Sequence, residues 1–254
     1  MRLQKRLQKG AITEKPHTEF FSNIFLRPKK DGSFRPIINL RGLNAFVAYY
    51  HFKMETIRNA IQLIRPNDFM ASIDLKDAYF TVPIAKEHRK FLRFIWQDRV
   101  YEFTCLPFGL ACAPRVFTKV MKPMIASQRQ MGHESCDYID DSLLIERTAQ
   151  ECADNVHART TRTQSLGFII NKKKSMFAPT QEIGFLGFNL NSVDMTISLP
   201  SYKVESTITA IRKLLGMKTP KIRDVTSIIG LLVSCELAVP YGPMYRRTIK
   251  NEEK

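Results

Sequence analysis

Tyr138-Ile139-Asp140-Asp141 sets two adjacent carboxylates between β-prone residues, with the apolar run Leu143-Leu144-Ile145 close behind. Two strands joined by a tight turn would hold that pair at their tip, rigid and open to solvent. Such a pair suits a divalent cation, because Mg²⁺ takes a few protein oxygens and keeps its other positions for water and phosphate. Upstream, Ile73-Asp74-Leu75-Lys76-Asp77-Ala78-Tyr79 supplies a further aspartate at the end of another apolar run. Three carboxylates converging from neighbouring strands would make a two-metal site for phosphoryl or nucleotidyl transfer. Taken alone, an Asp-Asp pair is more simply a solvated hairpin turn, so the surrounding elements decide its meaning.

Those elements follow from apolar spacing. Residues 22–26 and 34–40 flank Arg27-Pro28-Lys29-Lys30-Asp31-Gly32-Ser33, which reads as a hairpin with a basic tip. Helical spacing over 54–63 ends at Arg65-Pro66-Asn67-Asp68, and 69–74 reads as a buried strand. Residues 91–96 and 100–103 make a second hairpin around Gln97-Asp98. After Leu106-Pro107-Phe108-Gly109, a helix carries Val116, Phe117, Val120, Met121, Met124 and Ile125 on one face, and Pro123 should kink it. Thr148-Ala149-Gln150-Glu151 fits a capping box that opens a helix towards Leu166. Short strands are expected at 168–170, 183–190 and 195–199. Val204, Ile208, Ile211 and Leu215 then share a helical face, and Thr219-Pro220 supplies the N-cap and first residue of the next helix. Strands and helices mix without regular alternation, so the expected class is α+β, not a doubly wound parallel sheet. In one shared sheet, the strand to Asp74 and the Asp140-Asp141 hairpin would collect all three carboxylates at a sheet edge.

Composition narrows the partners. At 254 residues the chain can bury a substantial core, and 44% hydrophobic content is that of a globular protein. A formal net charge of +15 favours a polyanion, since Lys and Arg that displace counterions from phosphates gain sequence-independent affinity. No apolar stretch approaches bilayer-spanning length, and no membrane partner is expected. Cysteines 105, 112, 136, 152 and 235 show neither Cys-x-x-Cys pairing nor zinc-ligand spacing. That pattern indicates reduced, mostly buried thiols and an intracellular chain, cytoplasmic or nuclear. The basic start, residues 1–10, lacks a hydrophobic core and is read as a ragged helix, not a secretory signal. The five histidines are scattered, and none is assigned to catalysis.

In this order (basic hairpin, first aspartate, Pro-Phe-Gly turn and helix, Tyr-Ile-Asp-Asp hairpin, Gly167-Phe168 with Lys172-Lys173-Lys174, then Phe185-Leu186-Gly187-Phe188) the chain resembles the reverse transcriptases from about Phe20 to Arg247. Each block is weak alone and specific in sequence. Tyr50-His51-Phe52-Lys53-Met54-Glu55, the stretch from Leu106 through Lys119, and Val239-Pro240-Tyr241-Gly242-Pro243 give a narrower resemblance to DIRS-type, gypsy-like retrotransposon enzymes.

The resemblance implies a right-hand polymerase fold with fingers at 20–68, a palm at 69–200 and thumb-like helices at 201–254. A basic lead-in at 1–19 would precede it. The palm span would include a fingers part around 85–115 and a primer-grip hairpin at 183–199. The chain would stop before any ribonuclease H region. Asp74, Asp140 and Asp141 match the catalytic carboxylates and metal ligands, Asp74 and Asp140 on two Mg²⁺ ions (Mn²⁺ as an alternative) and Asp141 nearby and less directly coordinated, with the Leu75 carbonyl helping. Lys30, with Lys29 able to exchange roles, and Arg35 would grip the triphosphate. Tyr79 would lie below the sugar and exclude a 2′-hydroxyl. Phe108 stands where many retroviral relatives have Gln, so backbone and stacking contacts are expected there, and Gly109 would allow close approach of template or nucleotide. Lys172 is a candidate triphosphate sensor within a basic loop, and Phe185, Leu186, Gly187 and Phe188 would grip the primer end. Asp77 reads as structural. Lys203, Arg212, Lys213, Lys218, Lys221 and Arg223 would follow the duplex backbone. The implied partners are an RNA or DNA template, a primer strand and deoxynucleoside triphosphates. Three functions stay open: RNA-directed DNA polymerase, a truncated or co-opted fragment that binds nucleic acid without polymerising, and, more weakly, a different two-metal nucleotidyltransferase.

Overall fold

The computed structural model describes residues 2–16, 21–28, 32, 34–242 and 244, with the side chains of Arg2, Leu3, Lys5 and Arg35 left aside. The chain opens with α1 (Arg2–Gln8), β1 (Ile12–Lys15), the hairpin β2 (Ile24–Pro28) and β3 (Phe34–Ile38), and short helices α2 (Arg41–Asn44) and α3 (Ile57–Leu63). Next come β4 (Phe69–Lys76), β5 (Arg93–Trp96), β6 (Arg99–Phe103), α4 (Ala113–Gln130), β7 (Glu134–Tyr138), β8 (Asp141–Glu146) and α5 (Ala149–Ser165). The remainder is β9 (Ile169–Ile170), β10 (Met176–Thr180), β11 (Glu182–Phe185), β12 (Phe188–Asn191), β13 (Thr196–Ser198), α6 (Ser201–Leu215) and α7 (Ile222–Val233).

The chain divides into two compact units that interleave in sequence. One holds residues 1–56, 73–142 and 157–175; the other holds 57–72, 143–156 and 176–254. In the first, β1 pairs antiparallel with β6, and β6 with β5, setting Ile12 opposite Phe103 and Phe94 opposite Tyr101. The middle strand β6 is buried from Val100 to Phe103, and Ile12, Phe94 and Phe103 join Ile38 and Leu40 in a core that excludes water. The β2–β3 hairpin is antiparallel, with Arg27 opposite Arg35. In the second unit β11, β12 and β13 form a meander, and the Ser192 hydroxyl donates to the Asp68 carbonyl (2.6 Å). Buried Asp68 is paired with Arg147 at 3.1 Å.

A larger sheet of order β10-β4-β8-β7, with β9 also on β4, carries the three aspartates. The expected collection at a sheet edge is corrected here. β4 is an inner strand: β9 pairs at Leu75 and Lys76, and β10 pairs at Ser72 and Met70. Polar content hid both β1 and β10: Ile12-Thr-Glu-Lys alternates weakly, and β10 contains Pro179. The helix expected from 54 begins at Ile57. Thr219-Pro220 is not the cap of α7; Lys221 is the N-cap, its N–H donating to the Asp224 carboxylate at 3.2 Å. The α6 stripe is only partly covered, with Leu215 80% exposed. The capping box is present as expected, the Thr148 hydroxyl accepting from Glu151 N and its N–H donating to the Glu151 carboxylate. All five cysteines are free thiols, and burial pushes Cys105 up to about 11 and Cys136 and Cys152 up to about 12. No described helix is long and apolar enough to cross a membrane.

Candidate active site

The Tyr138–Asp141 turn holds its aspartates through an unfavourable backbone. Ile139, a β-branched residue, has φ 54°, a left-handed conformation that costs energy without glycine. Two sets of bonds hold it there. At the tip, the Asp140 carbonyl accepts from Leu75 N at 2.9 Å, tying the turn to β4. Beneath it lies a buried polar network. Asp137 accepts from the Ser142 hydroxyl (2.6 Å), the Ser135 hydroxyl (2.7 Å) and the fully buried Arg159 guanidinium (3.1 Å). Asp137 N donates to Glu55 (2.6 Å), and Arg129 bridges Glu55 and the Ser135 carbonyl. A charge buried this deeply is tolerated only when paired and hydrogen-bonded, and here both conditions hold.

Asp74 faces this turn from β4. Its Oδ1 accepts from Asn171 Nδ2 at 2.7 Å, and its Oδ2 lies 3.4 Å from Lys174 Nζ. Its backbone is held too: Asp74 N donates to the Ser175 hydroxyl (3.0 Å), and its carbonyl accepts from Asn171 N (2.8 Å). Asp141 completes the cluster. Burial pushes its carboxyl up to about 7, reinforced by the charges of Asp140 and Asp74 and by a hydrogen bond to Asp74, with Lys174 opposing. Asp141 thus keeps its proton further up the pH scale than an ordinary carboxyl does. The three predicted carboxylates therefore meet, half-buried and not freely solvated as a turn would be.

Among the described residues no three Asp, Glu, His or Cys side chains form a ready-made metal cage. Mg²⁺ does not require one, since it typically takes one or two carboxylates and fills its octahedron with water and phosphate oxygens. Neighbouring carboxylates whose charges raise the Asp141 carboxyl concentrate negative charge at one place, and their hard oxygen donors match that ion. The donor set fits.

Around the turn after β4, Tyr79 is buried, its ring 5.2 Å from Phe108 and 5.3 Å from Phe117. Gly109 has φ 113°, and a Cβ there would collide with the Ile38 carbonyl oxygen, so only glycine fits. Asn44 clamps this turn, donating to the Gly109 carbonyl and accepting from Ala111 N, both at 2.9 Å. Asp77 pairs with Lys9 at 2.5 Å. Burial raises the Asp77 carboxyl, but Lys9, Arg6 and Lys76 outweigh this and lower it overall. Lys29 and Lys30 lie outside the described residues, as does the Arg35 side chain. Lys172 is exposed, and it is Lys174 of the same run that reaches Asp74.

In the other unit, Phe185 and Phe188 are buried, leaving Leu186 and Gly187, both at positive φ, as the hairpin's tip. Lys203 turns inward, its Nζ 4.4 Å above the Phe188 ring and 2.8 Å from the Ser234 carbonyl, so it is not a free cation on α6. Sequence reading missed Asn171, Asn44, Glu55, Asp137 and Arg159. Only Asn171 left a signal, as a turn-forming residue just ahead of the lysine run.

A family model described as reverse transcriptase (RNA-dependent DNA polymerase) matches residues 27–190. The Transposon Tf2-3 polyprotein of Schizosaccharomyces pombe (strain 972 / ATCC 24843) is 22% identical over 261 residues, covering 98% of this chain and 19% of its own length. The Pro-Pol polyprotein of Simian foamy virus type 1 is 24% identical over 245 residues, covering 96% of this chain and 20% of its own. The chain thus spans about a fifth of these curated relatives. Among solved structures, the foamy viral protease-reverse transcriptase dRH in complex with double-stranded DNA superposes with TM-score 0.81 at 21% identity, over 97% of this chain and 41% of that one. The foamy viral protease-reverse transcriptase with an RNA/DNA hybrid gives 0.77 at 21% identity, over 98% and 32%. The expected α+β class and right-hand polymerase fold are borne out by that likeness.

Proposed function

The chain belongs to the reverse transcriptase (RNA-dependent DNA polymerase) family, and on that premise we propose that it is the RNA-directed DNA polymerase domain of a retrotransposon, extending a primer 3′ end with deoxynucleotides. The observation that carries this reading is the meeting of Asp74, on inner strand β4, with Asp140 and Asp141 at the start of the adjacent inner strand β8. Two bound Mg²⁺ ions would lower the pKa of the primer 3′-hydroxyl and neutralise the triphosphate.

The chain's own groups do the rest. Asp74 and Asp140 would hold the ions, with Asp141 beside them. Lys30 and Arg35 bind the triphosphate, where charge builds on phosphate oxygens. Tyr79, packed between Phe108 and Phe117, has little freedom to move aside for a 2′-hydroxyl. Gly109 brings backbone close to the incoming nucleotide, and the Leu186-Gly187 tip approaches the primer end. Fingers, palm and thumb are assigned to 20–68, 69–200 and 201–254. Template, primer and deoxynucleoside triphosphates are the partners, in keeping with relatives solved on double-stranded DNA and on an RNA/DNA hybrid. The narrower DIRS-type placement rests on the three stretches quoted above. A recombinase region in the same element would support it, and its absence would remove it.

Primer extension on an RNA template tests the reading. Mg²⁺-dependent incorporation of deoxynucleotides is expected from the wild-type chain and none from Asp140→Asn. In the same assay Tyr79→Val should admit ribonucleotides. A wild-type protein that binds template-primer yet adds nothing would leave a nucleic-acid-binding module in place of a polymerase.

A further inference from the structure

Beside its hydrogen bond with Asp141, Asp74 is held by one five-residue turn, 171–175. Asn171 contributes twice, its backbone N–H to the Asp74 carbonyl and its side-chain amide to Oδ1. The turn is itself closed: Lys174 N and Ser175 N both donate to the Asn171 carbonyl at 3.0 Å, and the Ser175 hydroxyl donates to the same oxygen at 3.0 Å. Pairing of Leu75 with Ile170 seats Asn171 directly across from Asp74.

The two side chains on Asp74 differ in what a cation would do to them. Lys174 is a charge on a long stem, with 67% of its side chain exposed. Its ammonium competes with any metal for Oδ2 and can swing into water when one binds. The Asn171 amide is neutral, half-buried and short. It uses one lone pair of Oδ1, so it need not leave when a metal arrives.

We propose that Asn171 is a positioning residue for the metal site: its amide fixes the rotation of the Asp74 carboxylate so that the remaining lone pairs face Asp140 and Asp141, while Lys174 occupies the other oxygen until a divalent cation displaces it. This rests on the polymerase reading of the aspartate cluster. Outer hydrogen-bond partners of metal-ligating carboxylates set affinity in this way, typically by about 10- to 100-fold.

Binding of Mn²⁺ alone to the full chain, followed by electron paramagnetic resonance, tests it without any turnover. Wild type should bind Mn²⁺ in a manner that Asp140→Asn abolishes. Asn171→Ala, and Asn171→Leu with its volume kept, should each weaken that binding about tenfold. Ser175→Ala loosens the turn but leaves the amide on Asp74, and should stay within about twofold of wild type; Lys174→Met should bind at least as tightly as wild type. Unfolding midpoints recorded beside each titration separate positioning from general loss of fold. Equal affinity for wild type and both Asn171 variants overturns the proposal while leaving the polymerase reading standing. Wild-type Mn²⁺ binding that is absent, or indifferent to Asp140→Asn, overturns both.

Discussion

At the scale of single residues, the Asp141 carboxyl responds most to its neighbours. Asp141 titrates at about 7 in the folded chain, against an ordinary value of 3.8. Between those values the folded chain keeps a proton that the unfolded chain has released, so stability falls as pH rises. The contribution is complete below pH 3.8 and is lost as pH climbs through about 7. Urea midpoints in EDTA should therefore decline from about pH 5 to about pH 8 more steeply in wild type than in Asp141→Asn. Parallel curves would mean that Asp141 is an ordinary surface carboxylate. The aspartates were legible in the sequence only through the order of the blocks around them, since an Asp-Asp pair alone reads as a solvated turn. Asn171 was not, because a turn asparagine looks the same whether its amide meets water or a carboxylate.

Elements show a sharper contrast between what the sequence displays and what it hides. The β5–β6 hairpin, α4 and the Thr148 capping box were readable, since each carries its own period or cap. The network beneath the Asp140 turn was not. Its members Glu55, Asp137 and Arg159 lie on separate elements, and each alone resembles a surface charge. Arg159 from α5 is nonetheless buried against Asp137 and Ser135. Replacing it with an apolar side chain strands the Asp137 carboxylate, a loss of about 3 kcal/mol. Arg159→Met is accordingly expected to lower stability by that amount in chemical denaturation. A change below about 0.5 kcal/mol, the range of ordinary surface substitutions, would show that the network is not what holds the hairpin. The α7 start was misread for a similar reason: Thr219-Pro220 has the right letters, but the Asp224 carboxylate engages Lys221 N.

For the molecule as a whole, charge and topology set the terms. A net charge of +15 on 254 residues predicts steep salt dependence for any duplex it holds. Affinity for an RNA/DNA hybrid should drop at least about 100-fold between about 50 and 200 mM salt. A drop under about threefold would assign the charge to something other than phosphate contact. Topology carries a different consequence. The chain passes back and forth between its two units through residues 56–57, 72–73, 142–143, 156–157 and 175–176. Asp74 waits for Asn171, 97 residues later, and for Lys174, 100 residues later. Closing loops of that length is entropically slow relative to forming local hairpins. On the ribosome, Asp74 emerges long before the turn that clasps it. The clasp on Asp74 therefore forms late, only after the 97 further residues to Asn171 have been synthesised.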